Sequence, residues 1–175
     1  MSIVLSAGRG VTQVVERCEA AKESGYLDLS SCQLMYIADA VYMLTKGHEI
    51  TRVSIQDNLM KKFPKKFVIK FPTATILNMA NNQIVEIPED VTAWTSLKGL
   101  NAAKNNISTF PESIFSLHNL IYLDLRDNEI AALDVDRLYS SLPALIKLNL
   151  SDNPLSEQIK SKLKSDKPEK LELLI

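Results

Sequence analysis

The chain has 175 residues, of which 46% are hydrophobic, and this combination fits one domain with a sizeable core and excludes a compositionally disordered protein. Its 20 basic and 21 acidic residues give a net charge of -1, so no overall field favours DNA, RNA or an anionic membrane. Any attraction of that kind has to come from a local cluster of charges.

The N-terminal segment does not have the pattern of a targeting signal. Residues 1–10 contain only the short apolar run Ile3-Val4-Leu5 without a basic segment before it, and no stretch of about twenty apolar residues occurs. We therefore expect a protein that is neither secreted nor membrane-spanning and that resides in the cytoplasm. Cys18 and Cys32 are then expected to be free, buried thiols of a reducing compartment.

Residues 1–24 are predicted to form an amphipathic helix. Its apolar residues recur at helical spacing, and Gly25 is a residue type that commonly ends a helix. The repeats that follow this segment, described below, predict a stack whose first turn exposes apolar surface. We therefore interpret this helix as a cap over that turn, and a partner-binding helix is the alternative. The apolar positions are Val11, Val14, Val15, Cys18 and Ala21.

A short motif recurs six times between residues 25 and 155. Each copy has two apolar residues separated by one position, an Asn or Cys three positions later, and a further apolar residue two positions after that. Successive copies are 23 to 26 residues apart, and this interval predicts a stack of similar turns. The Asn or Cys positions are Cys32, Asn58, Asn82, Asn105, Asn128 and Asn153.

The chemistry of the motif predicts where each part of a turn lies. Apolar residues at a period of two point inward from a short strand, and stacked turns place successive strands side by side in a parallel sheet. After the strand the backbone turns inward, where an Asn amide can donate to and accept from otherwise unpaired backbone groups. Pro88-Glu89 and Pro111-Glu112 are typical of helix starts, so we expect short helices or 3-10 turns on the convex side.

Residues 156–175 are predicted to close the other end of the stack. Ser156 is a good N-cap for a short helix. Leu171 and Leu173 follow Leu148 and Leu150 by 23 residues, which predicts a truncated seventh strand that covers the sixth turn.

The fifth copy of the motif, extended by Leu120, reads Leu120-Ile-Tyr-Leu-Asp-Leu-Arg-Asp-Asn-Glu-Ile130 and resembles the leucine-rich repeat pattern L-x-x-L-x-L-x-x-N/C-x-L. The resemblance covers residues 25–175. It implies an α/β fold: a leucine-rich repeat solenoid with a curved parallel sheet on the concave face, an N-terminal cap helix and a C-terminal cap. We expect one domain, with the cap helix at 1–24, six repeats at 25–155, and the C-terminal cap with its truncated strand at 156–175.

Side chains that point outward from the strands are predicted to line the concave face, the usual binding surface of such stacks. We predict an intracellular scaffold or adaptor that is monomeric by itself and binds a protein partner there; a merely solvated sheet surface is the alternative. Gly99, Ala80 and Ala103 leave a shallow apolar floor, and Tyr and Arg are enriched among binding hot spots. The predicted partner-binding residues are Tyr26, Arg52, Asn78, Asn101, Tyr122, Asp124, Arg126, Lys147 and Asn149.

Two other functions stay open. Lysines cluster between residues 61 and 70 on the rim or convex side, where they could meet RNA or an anionic lipid, although a solvated edge is the simpler interpretation. The four predicted contacts of this alternative are Lys61, Lys62, Lys65 and Lys66. The chain could also be a structural subunit whose surfaces are covered within a larger assembly.

The sequence contains no pattern that points to catalysis. It has no Gly-rich phosphate loop, no His-x-x-x-His or Cys-x-x-Cys pair, and no nucleophile at a diagnostic spacing from His48 or His118. We therefore expect no enzyme activity, no cofactor, no metal site and no DNA partner, and the resemblance carries over no catalytic residue.

Overall fold

The computed structural model describes residues 2–175 of the chain, with side chains from Gly10 onward. Seven three-residue strands form one open, curved parallel sheet in which the order of the strands follows the sequence. The predicted fold class, an α/β solenoid of stacked turns, is confirmed. The strands are β1 (Tyr26–Asp28), β2 (Arg52–Ser54), β3 (Ile76–Asn78), β4 (Gly99–Asn101), β5 (Tyr122–Asp124), β6 (Lys147–Asn149) and β7 (Glu172–Leu174).

Each turn returns through a short helical segment on the convex side. Helical segments of this length form because the next turn covers their apolar face, since isolated helices this short are unstable in water. The predicted helical turns after Pro88 and Pro111 are confirmed. The helices are α1 (Ser2–Ser24), α2 (Asp39–Leu44), α3 (Lys66–Lys70), α4 (Val135–Ser141) and α5 (Glu157–Ser165), and the 3-10 turns are Glu89–Ala93 and Glu112–Ser116.

The core is a continuous stack of apolar side chains between the sheet and these helical segments. The central residues of successive strands are in register, so that Val53, Leu77, Leu100, Leu123 and Leu148 form one column, and none is more than 1% exposed. Each turn therefore buries its apolar side chains against its two neighbours and not within itself, as expected for a solenoid.

A second column, of buried Asn side chains, joins the turns where the backbone leaves the strands. Asn105 is representative: its Oδ1 accepts the N–H of Ile84 at 2.9 Å, and its Nδ2 donates to the carbonyls of Met79 at 3.1 Å, Ala102 at 3.1 Å and Ala103 at 3.2 Å. Two of these four groups belong to the preceding turn. The predicted Asn ladder is confirmed for all five Asn residues, Asn58, Asn82, Asn105, Asn128 and Asn153.

The residue just before each ladder position has a left-handed backbone conformation. Its φ lies between 53° and 57° in all six turns. This conformation costs an L-residue free energy, except that Asn and Asp, with short polar side chains, tolerate it better. Asp or Asn occupies four of the positions, whereas Ser and Lys occupy the other two. The six residues are Ser31, Asp57, Asn81, Lys104, Asp127 and Asp152.

Helix α1 covers the open edge of the first turn, as predicted, but over only part of its length. Cys18 and Ala21 are fully buried, whereas Val11 and Val15 are 67% and 40% exposed. A 23-residue helix is about 35 Å long, which exceeds what a single turn can cover. The Arg17 guanidinium donates to the carbonyls of Asp28 and Ser30, so these two backbone acceptors at the open edge of the sheet have a side-chain partner.

The seventh strand exists, but its predicted register is wrong. β7 pairs with β6 so that Leu173 lies beside Leu148, an interval of 25 residues where the pattern predicted 23. Leu171 lies just before the strand, and its N–H donates to the carbonyl of Pro168 at 3.0 Å. The reason is the helical segment: turns with a five-residue 3-10 turn fit into 23 residues, whereas the seven-residue α4 and nine-residue α5 need longer turns.

Replacing a ladder Asn should destabilise the whole stack. Asn105→Ala leaves the buried N–H of Ile84 without an acceptor, and an unsatisfied buried group together with the lost side-chain bonds costs about 3 kcal/mol. Urea denaturation followed by circular dichroism measures this loss. The matched control is Asn106→Ala, an exposed neighbour whose amide bonds only Glu129, and its effect should stay within about 0.5 kcal/mol. Equal effects of the two substitutions would contradict a structural role for the ladder.

Substitutions at the left-handed positions should change stability through the backbone preference of the new residue and not through the contacts of its side chain. Lys104→Asn places a tolerant residue at φ 55° and should stabilise the protein by about 0.5–1 kcal/mol. Asp152→Lys, at φ 56°, should destabilise it by a similar amount. Thermal denaturation of both variants checks the prediction; a lower melting temperature for Lys104→Asn would refute it.

Candidate functional site

The concave face carries one row of side chains contributed by the first residue of every strand. Because the strands pair in register, each side chain of this row lies beside the equivalent residue of the next turn. We call this set the first row. From the first turn to the seventh it consists of Tyr26, Arg52, Ile76, Gly99, Tyr122, Lys147 and Glu172.

The charged members of the first row are held by neighbours in the same row. The Arg52 guanidinium lies 5.0 Å from the centre of the Tyr26 ring, a cation–π contact. At the other end, Lys147 Nζ is 2.6 Å from Glu172 Oε1. The row therefore presents side chains of defined position at both ends, and two of its predicted contacts, Tyr26 and Arg52, act as one unit.

The centre of the first row is a depression with an apolar wall. Ile76 is 45% exposed although it is a large aliphatic side chain, and Gly99 beside it contributes no side chain. A Cβ built on Gly99 would be in ordinary contact with Ile76, at 3.7 Å, and with no other neighbouring residue, although Gly99 itself is buried. Of the two alanines predicted to form a shallow floor here, Ala80 is half-buried, whereas Ala103 is only 1% exposed and offers almost no surface. Ile76 was not among the predicted contacts, since its exposure depends on the missing side chain of Gly99.

The last residue of each strand forms a second row on this face. Most of the polar side chains in this row bond the backbone at the point where the strand ends. The side-chain oxygens of Asn78, Asn101, Asp124 and Asn149 accept the backbone N–H two residues further on, at 3.1 to 3.2 Å. This is the local turn that Asp and Asn favour. Asp124 and Asn149 are only 2% and 5% exposed, so these two predicted contacts offer little surface to a partner, whereas Asn78 and Asn101 are half-buried.

Tyr122, Asp124 and Arg126 form a small hydrogen-bonded group at the fifth turn. The Tyr122 hydroxyl donates to Asp124 Oδ2 at 3.0 Å, and Arg126 Nε lies 3.7 Å from the same oxygen. Burial, the hydrogen bond to Asp124 and the charge of that carboxylate raise the pKa of Tyr122 to about 12. The predicted hot-spot residues Tyr122 and Arg126 are therefore positioned by a buried carboxylate while their outer surfaces remain accessible.

The lysines of the alternative site lie away from the strands, at the start of α3 and in the loop before it. Lys65 Nζ is 3.1 Å from Asp90 Oδ2, and Lys66 Nζ is 2.5 Å from Asp39 Oδ1. Lys61 and Lys62 are exposed. The four side chains thus differ: two join α3 to acidic residues of the turns on either side, and two project from the surface.

Within residues 2–175, no group of three or more His, Cys, Asp or Glu residues is arranged to hold a metal ion. None of the helices in that range is long and apolar enough to cross a membrane. The thiols of Cys18 and Cys32 are buried and unpaired with each other, and burial raises the pKa of both.

The raised pKa of Tyr122 predicts a loss of stability at alkaline pH. The unfolded chain releases the phenol proton near its ordinary value of 10.0, whereas the folded protein retains it to about 12, so this contribution is complete below the lower value and disappears on approaching the higher one. Denaturation at a series of pH values should show the decline, and Tyr122→Phe should make it shallower. Titration of the phenolate absorbance is the independent measurement: Tyr122→Phe must remove one late-titrating tyrosine.

Comparisons with known proteins agree with the repeat pattern. Two family models, both described as leucine-rich repeat, match residues 72–130 and 144–165. The leucine-rich repeat serine/threonine-protein kinase 1 of Caenorhabditis elegans is 36% identical over 110 residues, which make up 62% of this chain and 4% of that kinase. The chain therefore spans a small part of this relative, and the similarity concerns the repeats alone.

Solved structures extend the similarity to the backbone of most of the chain. A leucine-rich repeat protein of Leptospira interrogans superposes with a TM-score of 0.70 at 24% identity, over 82% of this chain and 35% of that one. An internalin of Listeria monocytogenes gives 0.68 at 19%, over 85% and 40%. The BIR2 ectodomain of Arabidopsis thaliana gives 0.58 at 19%, over 75% and 69%. In repeat sequence the chain is similar to leucine-rich repeat proteins over residues 72–130 and 144–165, and its backbone has the fold of these solved structures.

Proposed function

We propose that this chain is a protein–protein interaction scaffold or adaptor whose partner binds the concave sheet face. The observation that carries the proposal is the exposed Ile76, which is 45% accessible to solvent beside the missing side chain of Gly99, in the middle of an otherwise polar face. An exposed apolar side chain at the centre of a polar face offers a partner a contact that can be fully desolvated, as the centres of binding hot spots are.

The residues around this depression support the same proposal. Tyr122 and Arg126 on one side, and Tyr26 and Arg52 on the other, are the residue types most enriched at hot spots, and each pair is held by a contact within the face. Side chains fixed before binding lose less conformational entropy when a partner arrives. Asn78, Asn101 and Lys147 complete the proposed contact surface, with Asp124 and Asn149 acting from below as structural supports.

We further propose that the chain is not an enzyme, binds no cofactor and is monomeric by itself. The buried thiols of Cys18 and Cys32 support the first part, since a raised pKa keeps them protonated and poor as nucleophiles at neutral pH.

We propose the cytoplasm as its location, supported by two free cysteines of a kind common in reducing compartments. A narrower resemblance within the family supports an intracellular role. The N-terminal helix running into Leu27-Asp-Leu-Ser-Ser-Cys32-Gln-Leu34, together with Asn153-Pro154-Leu155, resembles leucine-rich repeat-containing protein 20.

Filling the depression should abolish partner binding without unfolding the protein. Gly99→Tyr should be accommodated, because the backbone is not left-handed there and the added Cβ makes only an ordinary contact, with Ile76 at 3.7 Å. Tagged protein expressed in cells, captured and analysed by mass spectrometry, should lose the partner that the unmodified chain retains. The melting temperature should be unchanged or slightly higher, since a tyrosine suits a strand better than a glycine.

Two further variants make the result specific. Lys164→Tyr places the same ring on the exposed side of α5, away from the sheet, and should retain the partner. Arg52→Ala and Arg126→Ala, which remove exposed guanidinium groups, should weaken the captured complex. Retention of every captured protein by Gly99→Tyr would eliminate the concave face as the binding surface.

A further inference from the structure

The flank of the first two turns contains an apolar groove that no part of the described chain fills. The groove encloses about 370 Å³. Three of its large side chains are strongly exposed: Met35 is 68%, Tyr36 72% and Leu59 46% accessible to solvent. Its other walls include Pro64 and the buried side of Tyr42. We call this feature the flank groove. Its residues follow β1 and β2 in the sequence, and it lies outside the concave face.

The repeat pattern does not require these exposed apolar residues. Met35 and Tyr36 stand three and four positions after the ladder residue of their turn, and the equivalent positions of the fourth turn hold Ser108 and Thr109. Both are exposed there as well, so the position itself is solvent-facing. Val85 of the third turn, at the position of Met35, is 53% exposed as well, but only the first of the six turns has two large apolar side chains in succession here. Core packing does not explain this pair.

Lysines surround the flank groove on the side of the second turn. Lys65 and Lys66 are engaged by Asp90 and Asp39, and the Lys66 ammonium also lies 5.9 Å from the centre of the Tyr42 ring. These contacts hold α3 in place. Among the ion pairs found for residues 10–175, none includes Lys61 or Lys62, and both line the groove. An apolar floor thus lies beside two projecting ammonium groups.

We propose that the flank groove binds a short acidic segment of a partner protein, with its apolar side chains against Met35, Tyr36 and Leu59 and its carboxylates at Lys61 and Lys62. The positive charges of Lys61 and Lys62 favour a negatively charged partner. The apolar floor of the groove favours a short amphipathic segment, because such segments bind in grooves of this kind. Methionine in the wall adapts to different apolar side chains.

Two other occupants fit the same surface less well. A membrane surface attracts apolar side chains within a broad basic field, whereas two of the four lysines here, Lys65 and Lys66, are paired with carboxylates. RNA binding draws most of its affinity from many phosphate contacts, and two projecting lysines supply few. The proposal is independent of the concave face, and each surface can fail its test separately.

Selection from a display library of random peptides of about twelve residues, with the full chain as bait, tests the proposal. The enriched peptides should contain several Asp or Glu residues around Leu, Ile, Phe or Trp. Binding of a labelled enriched peptide, measured by fluorescence anisotropy, should weaken at least about tenfold with Lys61→Glu plus Lys62→Glu, because opposite charges become like charges. Met35→Ser plus Leu59→Ser should weaken it by roughly as much through lost apolar contact.

Matched controls separate the groove from nonspecific effects. Lys164→Glu reverses an exposed charge on α5, Ile146→Ser removes an apolar side chain that is 51% exposed at the far end of the sheet, and Gly99→Tyr fills the concave depression. All three should leave peptide affinity unchanged. Met35 and Leu59 are exposed, so their replacement should preserve the melting temperature, which confirms that lost affinity is not lost folding.

Several results would overturn the proposal. Enrichment of basic or uncharged peptides would refute the charge argument, and a peptide whose affinity survives both groove variants would bind elsewhere. A failure to enrich any peptide would count against a peptide groove. Cosedimentation with vesicles of phosphatidylcholine and phosphatidylserine, or a shift of polyuridylate, that depends on Lys61 and Lys62 in the absence of acidic-peptide binding would assign the surface to lipid or RNA instead.

Discussion

The hydrogen-bonding amide of the ladder Asn is the interaction on which this architecture depends. A solenoid has to turn its backbone inward after every strand. The backbone N–H and C=O groups of this turn can bond neither water nor the next strand. Asn105 satisfies four of them and joins two turns in doing so. No buried side-chain nitrogen or oxygen among the described residues lacks a hydrogen-bond partner, which shows how completely the side chains meet this constraint.

The same constraint shapes the concave face. Because every strand has only three residues, the polar side chain at its end is needed to bond the backbone that follows, as Asn101 does with the N–H of Ala103 at 3.1 Å. Much of the apparent polarity of the face is therefore used within the protein. What remains for a partner is the first row, where the exposed Ile76 and the missing side chain of Gly99 lie between two pairs of aromatic and arginine side chains.

The two proposed surfaces differ in how they arise from the repeat. The concave depression results from the absence of a side chain at one position of a regular row. The flank groove results from large apolar residues at positions that are polar in the fourth turn, next to α3 and its lysines. Since the turns stack in a single register through one continuous core, both surfaces are held on the same rigid frame and at a fixed separation. This arrangement suits an adaptor that contacts two segments at once.

The sequence by itself determined the solenoid, because a repeated pattern of leucines and Asn leaves only stacking as a way to bury one and satisfy the other; the sheet, the ladder and the caps could all be read from it. Tertiary structure decided the register of β7, since turn length depends on whether the return segment is a 3-10 turn or a longer helix such as α5. It also decided which outward residues stay accessible: Asp124 is buried by the turn it caps, whereas Ile76 is exposed by the missing neighbour at Gly99. The burial of a side chain depends on its neighbours in adjacent turns, some two dozen residues away in sequence, and the repeat pattern does not show how these neighbours pack.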